Sequence, residues 1–268
     1  MAILVLTGCT GGPGGGPSAI AVPSQALLGP LPSDGVNGLR TAADVFYTDV
    51  TECGGTPCRV PADVLAPAAG TDHPTIVVLN GGGKLFSERR YQVPLAVELA
   101  RRGAVVFLAA YRGISTGNYD SDSISDARCA IRYARAHTTD YGGDPDRLLV
   151  VGHSQGGGLG LDIAVHPEEE AEACLADGSA IPDGVIALGS PRPSMRDAID
   201  AAPPLWVVSG SEDERADAEA DARFLGERGY DVVGRVLPDV THDGVTDPSA
   251  APEVVDLVFE ALESIGSR

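Results

Sequence analysis

Leu148-Leu149-Val150-Val151-Gly152-His153-Ser154-Gln155-Gly156 is the stretch from which the fold can be read. An apolar run with the character of a buried strand leads directly into G-x-S-x-G, the pattern of a sharp strand-to-helix elbow that holds a serine at the end of a sheet. Glycine is needed beside the serine because a Cβ there collides with neighbouring backbone. In a chain with 34 glycines five residues can match by chance, so the flanks must decide. The strand precedes, and Gly157 to Val165 can follow as a helix whose small residues allow close packing on a sheet. Ser154 is therefore the first candidate nucleophile.

A serine hydroxyl needs a base, and the chain offers five histidines. His153 lies inside the elbow and is expected to point away from the neighbouring hydroxyl. His137 falls in a helix, His73 precedes a strand, and His166 ends the helix after the elbow. His242 remains, in the loop Leu237 to Gly244 between a strand-like run, Val232 to Leu237, and a C-terminal helix from Pro252 to Ile265. A carboxylate that orients this imidazole should sit at the end of a strand between serine and histidine. The run Leu205 to Gly210 is such a strand, and it enters Ser211-Glu212-Asp213-Glu214, where several polar residues crowd the expected place.

With this serine, acid, histidine order the chain resembles the α/β-hydrolase superfamily, in its carboxylesterase-like branch with an H-G-G-G loop. The resemblance covers roughly residues 43 to 266. It favours Asp213 through the G-x-x-D pattern of Gly210-Ser211-Glu212-Asp213, over Glu212, Glu214 or Asp217. The stretch Asp126 to Tyr133, followed by Tyr141-Gly142-Gly143-Asp144-Pro145-Asp146-Arg147, also looks like the helix and turn that lead into the elbow strand in these esterases. After the strand Thr75 to Leu79, Asn80-Gly81-Gly82-Gly83 takes the place of the loop. By the same resemblance Gly82, Gly83 and the N–H of Gln155 form an oxyanion hole, and Asn80 departs from the usual histidine, which implies altered loop packing with catalysis retained. The resemblance implies a serine esterase that acts on small-molecule carboxylic esters through an acyl-enzyme, with no cofactor and no metal. A prolyl-oligopeptidase-like peptidase and an inactive binding protein on the same scaffold are the alternatives.

A chain of 268 residues suits one α/β core. Strands are expected near 45–50, 59–65, 75–79, 104–109, 148–152, 184–189, 205–209 and 232–237. Helices are expected near 91–102, 123–137, 155–165, 215–229 and 252–265. This alternation implies a mostly parallel sheet with helices on both faces. Only about fifteen residues separate the strand ending near Gly189 from the one starting near Leu205, which leaves little room for a cap over the site. No segment is apolar and long enough to span a membrane.

The N-terminus carries a separate signal. Leu6-Thr7-Gly8-Cys9 resembles a lipobox, with Cys9 as the lipidated residue, and residues 1–9 read as a shortened lipoprotein-type signal segment that lacks a basic region. Residues 10–40, rich in Gly, Pro, Ser and Ala, read as a flexible linker before a catalytic domain at 41–268. An extracytoplasmic, lipid-anchored protein at a bacterial membrane surface is the expectation, with a cytoplasmic one as the alternative. The four remaining cysteines allow two disulfides, with Cys53–Cys58 across a local turn and Cys129–Cys174 as the other pair. A formal net charge of −19 argues against nucleic-acid binding. The acidic run Glu168 to Glu172 reads as a solvated face and lacks the alternating ligand spacing of a calcium loop.

Overall fold

The computed structural model describes residues 38–82, 86–113, 121–166, 171, 173–193 and 202–266. The Cys9 segment, the linker up to residue 37, Gly83, and most of the acidic run at 168–172 lie outside these residues.

Ten strands and five α-helices are present among the described residues. The strands are β1 (Leu39–Phe46), β2 (Thr51–Cys53), β3 (Thr56–Cys58), β4 (Pro61–Pro67), β5 (His73–Leu79), β6 (Val105–Ala109), β7 (Gly143–His153), β8 (Gly184–Leu188), β9 (Leu205–Gly210) and β10 (Val232–Leu237). The helices are α1 (Val93–Arg101), α2 (Ser121–His137), α3 (Gln155–Val165), α4 (Ala218–Gly226) and α5 (Pro252–Gly266). Eight strands form one sheet in the order β1-β4-β6-β5-β7-β8-β9-β10, while β2 and β3 pair as a separate hairpin. β1 and β4, and β4 and β6, run antiparallel; from β6 to β10 every neighbouring pair is parallel.

The apolar strands are buried on both faces, as parallel sheets require. Their period of two divides the core into two layers. Val77, Leu79, Phe107, Val150 and Val185 face one way, toward Ile131 of α2, Leu159 of α3 and Leu225 of α4. Ile76, Val78, Leu108, Val151 and Ile186 face the other way, toward Leu95 and Leu99 of α1 and Leu257 and Val258 of α5. Each such side chain, fully withdrawn from water, stabilises the fold by about 1.5–3 kcal/mol before entropy is counted.

The first strand differs from the sequence expectation. It begins at Leu39, inside the stretch read as linker, and ends at Phe46, where 45–50 was expected. Leu39 to Ala42 lack a strand-like pattern, and their edge position is fixed by antiparallel pairing with β4, with a register shift between Ala42 and Val45. The chain then leaves the sheet: Thr48 bridges Cys174, and the Asp49 N–H donates to the carbonyl of Ala173 at 2.7 Å. Helix α4 is shorter than expected because Asp217 caps it, its carboxylate accepting from the Ala220 N–H at 2.9 Å.

Two disulfides join the expected partners. Cys53–Cys58 closes the β2–β3 hairpin with a Cα separation of 5.8 Å. Cys129 of α2 meets Cys174, with Cα atoms 4.9 Å apart. No helix among the described residues is long and apolar enough to cross a membrane.

Buried ion pairs tie the segments near the sheet's end to the core. Asp63 of β4 has a fully buried side chain and takes hydrogen bonds from Arg89 (3.0 and 2.8 Å) and Arg90 (2.8 Å). Burial alone would push the Asp63 carboxyl up, but the hydrogen bonds from Arg90 and Arg89 outweigh it and hold it below the usual carboxylate range. Both arginines belong to the 3₁₀ segment Phe86–Gln92, which follows the glycine loop, so Asp63 fixes the wall that this segment builds. Arg112, after β6, makes a two-pronged contact with Asp126 of α2 at 2.9 and 2.9 Å.

Candidate active site

The parallel strands β5, β7, β9 and β10 point the same way, so the loops after them converge at one edge of the sheet. Brought together there are Gly81 and Gly82 after β5, Ser154 after β7, Asp213 after β9 and His242 after β10. Ser154, His242, Gly81 and Gly82 line a single cavity of about 550 Å³. The rest of its wall comes largely from Glu88, Tyr91 and Gln92 of the 3₁₀ segment and from Asp243, Thr246 and Asp247 in and after the histidine loop.

The elbow takes its shape from forced backbone. Ser154 has φ 49° and ψ −117°, which a residue with a Cβ rarely adopts. Such a conformation costs on the order of 1–3 kcal/mol and persists where surroundings over-determine it. Here the Ser154 N–H donates to the Leu188 carbonyl at 2.7 Å. The turn is also too tight for side chains beside it. A Cβ on Gly152 would lie 2.3 Å from the Gly156 carbonyl oxygen, and one on Gly156 would lie 2.4 Å from that of Leu79. The G-x-S-x-G spacing is thus a record of two backbone crossings.

His242 and Asp213 meet directly: Nδ1 of the histidine is 2.9 Å from Oδ2 of the aspartate. The Asp213 side chain is fully buried and that of His242 is 12% exposed, so water competes little for this contact. The other carboxylate oxygen, Oδ1, accepts from the Arg215 N–H at 2.8 Å. This geometry separates the neighbouring acids. Glu212 and Glu214 are exposed, and Asp217 is engaged as the α4 cap.

Gln155 is the first residue of α3, so its N–H has no acceptor within the helix. Gly82 has φ 81°, in the left-handed region that suits glycine. Asn80, where the resembled family carries histidine, is 2% exposed and donates from Nδ2 to the Gly81 carbonyl at 2.8 Å. The Tyr111 hydroxyl donates to the Asn80 carbonyl at 2.6 Å. The asparagine therefore braces the glycine loop through its own neighbours.

The other histidines fall into two groups. His73 is the first residue of β5, with Nε2 3.1 Å from the Ala69 carbonyl; His137 closes α2 and stacks on Tyr133; His166 caps α3. None of these lines the cavity. His153 does. It is the last residue of β7, its ring lies 4.9 Å from the His242 ring, and its Nε2 is 3.0 Å from the His242 carbonyl. Burial, foremost, holds its pKa below the usual histidine range.

Chemically, a serine on a strained elbow and a histidine held by a buried carboxylate are groups suited to acyl transfer.

Comparison with known proteins agrees with that geometry. A family model described as BD-FAE matches residues 62–184, just under half of the chain. "Probable carboxylic ester hydrolase LipM" of Mycobacterium tuberculosis is 34% identical over 97 residues, covering 36% of this chain and 22% of that protein. "Isoprenylcysteine alpha-carbonyl methylesterase ICME" of Arabidopsis thaliana is 30% identical over 83 residues, covering 31% and 19%. The chain thus spans about a fifth of the length of the curated relatives it matches. Among solved structures, a truncated carbohydrate esterase from gut microbiota superposes with a TM-score of 0.68 at 15% identity, over 86% of this chain and 99% of that one. Propionate-bound esterase 2 of Thermogutta terrifontis gives 0.66 at 22% identity, over 82% and 95%. With its strand order, its crossing elbow and these structural likenesses, the chain has the α/β-hydrolase fold.

Proposed function

We propose that the protein is a serine hydrolase that cleaves carboxylic esters through an acyl-enzyme on Ser154. The single observation that carries this reading is the buried 2.9 Å contact between His242 Nδ1 and Asp213 Oδ2, beside an elbow serine in the same cavity. The esterase names borne by sequence relatives support the same reaction class.

In this mechanism His242 Nε2 takes the Ser154 hydroxyl proton as Oγ attacks the ester carbonyl, and Asp213 stabilises the imidazolium that results. The Gln155 N–H, with Gly82 and Gly83 of the glycine loop, donates to the oxygen that becomes negative. Collapse of the tetrahedral species expels the alcohol, which takes the proton from Nε2. Water then attacks the acyl-enzyme with His242 again as base, and the acid leaves. No cofactor enters these steps.

The two disulfides support an oxidising, extracytoplasmic location, and a lipidated Cys9 would hold the protein at a membrane surface. Intact mass of the protein from its native compartment tests the lipid.

The activity is tested by hydrolysis of p-nitrophenyl esters of graded acyl length, with Ser154→Ala as the blank. Turnover by the wild type and none by the variant is expected. Equal rates for the two proteins, or faster turnover of anilides than of matched esters, would refute the ester reading.

A further inference from the structure

His153 is the residue of the site that the steps above leave unused, although it is 7% exposed and stands one peptide bond from the nucleophile. Its surroundings are specific. Nε2 lies 3.0 Å from the backbone carbonyl of His242, and the two rings are tilted by 48° with centroids 4.9 Å apart. On the other side the ring abuts the glycine loop so closely that a Cβ on Gly81 would come within 2.8 Å of Nδ1. A carbonyl can only accept, so Nε2 must carry the proton and donate.

The loop that bears His242 is tied to the end of β9 by the Glu212 N–H, which donates to the Val240 carbonyl at 3.0 Å, and by buried Val240 and Val245, but its tip faces solvent. Thr241 and Asp243, on either side, are both exposed, and the Asp243 side chain is 91% exposed. Asp213 orients the imidazole through Nδ1, and backbone contacts such as Val245 N–H to the Thr241 carbonyl at 3.3 Å hold the chain beside it; the peptide of His242 itself is held through its carbonyl. His153 holds that backbone from the end of β7, the same rigid strand that carries Ser154.

We infer that His153 is a positioning residue: its Nε2–H grips the His242 carbonyl and sets the distance between the base and the nucleophile. This rests on the ester-hydrolase reading above. Nucleophile and base are then located by consecutive residues of one strand end, a short linkage in a reaction where small displacements are expensive.

A competing use of the same atoms is a cation site. His153, His242 and Asp243 each offer one ligand atom within 4.8 Å of the others, and His153 Nε2 is 3.9 Å from Asp243 Oδ1. Through Nε2, the nitrogen placed nearest Asp243, a metal would need a lone pair that the carbonyl contact ties up in an N–H. The hydrogen-bonded arrangement therefore favours the anchor.

The test compares His153→Phe, which keeps a ring and removes the donor, with His153→Gln, whose amide can still donate to a carbonyl. On an ester that the wild type hydrolyses, His153→Phe is expected to lower kcat by roughly 10- to 100-fold. KM should stay within about threefold and the thermal midpoint within a few degrees, while His153→Gln recovers most of kcat. Activity of His153→Phe within about threefold of wild type, or equal losses in both variants, would overturn the inference. Two-dimensional ¹H–¹⁵N NMR of the wild-type histidines reads the proton without any variant: the Nε2–H form of His153 is expected, and the Nδ1–H form would overturn it. Micromolar binding of Zn²⁺ that depends on His153 would likewise overturn it in favour of the cation site. A wild type inactive on every ester defeats the hydrolase reading itself, whereas an active wild type with an unaffected His153→Phe defeats only this inference.

Discussion

Replacing Asp213 by asparagine changes one heavy atom and, on this geometry, disables the base. The carboxylate has two fixed neighbours: Oδ1 accepts from the Arg215 N–H at 2.8 Å, and Oδ2 meets His242 Nδ1 at 2.9 Å. In asparagine only one terminal atom can accept. The Arg215 N–H draws the amide oxygen to its side, which turns the NH₂ toward His242. A donor facing Nδ1 forces that nitrogen to be the acceptor, so the ring proton moves to Nε2, where the Ser154 proton must go. The tautomer is then wrong for the first step. In a comparable triad such a change lowers kcat about 10⁴-fold, or about 5.5 kcal/mol at 1.36 kcal/mol per tenfold. Because the side chain is fully buried and its shape is preserved, the fold should survive. Steady-state hydrolysis of a short-chain p-nitrophenyl ester, with thermal unfolding to check integrity, measures both effects. Glu212→Gln and Glu214→Gln, exposed neighbours, should be mild. An Asp213→Asn enzyme within tenfold of wild type, or a crippling effect at either glutamate, would refute the reasoning.

Other outcomes follow from the same coordinates. Gly156→Ala places a Cβ 2.4 Å from the Leu79 carbonyl oxygen and 2.6 Å from that of Asn80, both backbone, so overpacking of about 1–3 kcal/mol or more is expected, read as a fall in the chemical-denaturation midpoint. Paired serine replacements should rank the disulfides: loss of Cys129–Cys174, which are separated by 45 residues, costs about 4 kcal/mol, and loss of Cys53–Cys58, separated by 5, about 2 kcal/mol; equal losses would contradict the chain-entropy account. Asp63, held below its ordinary value of 3.8, contributes stability that is fully present above that unfolded value and lost as pH falls through the lower native one. Asp63→Asn should therefore flatten the acid limb of the stability curve, and at neutral pH it should cost less than the roughly 3–5 kcal/mol of a wholly unpaired buried charge, because Asp44 still meets Arg89 at 2.5 Å. An unchanged acid limb would show that Asp63 is not the group responsible.

Much of this architecture was legible because the chemistry is local. The run Leu148 to Val151 and the glycines around Ser154 encode strand, crossing and helix within a few residues, and α3 starts and ends at the expected Gln155 and Val165. The apolar strands β8 and β10 likewise stand where their sequence patterns put them. The choice of Asp213 over its acidic neighbours came from resemblance, and nothing in the local composition could have made it; what sets Asp213 apart in the structure is its buried side chain and its contacts with His242 and the Arg215 N–H. β1 was placed too late because an edge strand is specified by its partner β4 and carries little pattern of its own. The contact of His153 with the His242 carbonyl could not be read from the sequence, because the two are 89 residues apart in the chain. Long-range backbone contacts of that kind leave no mark in residue type or period.

The central claim is that Ser154 is the nucleophile. Incubating the folded protein with a fluorophosphonate and mapping the adduct by peptide mass spectrometry tests it most directly. The account expects one adduct per chain, on the peptide that contains Ser154, abolished in Ser154→Ala and slowed in Asp213→Asn. An adduct on another residue, or unreacted Ser154 in a protein that still hydrolyses esters, would contradict it.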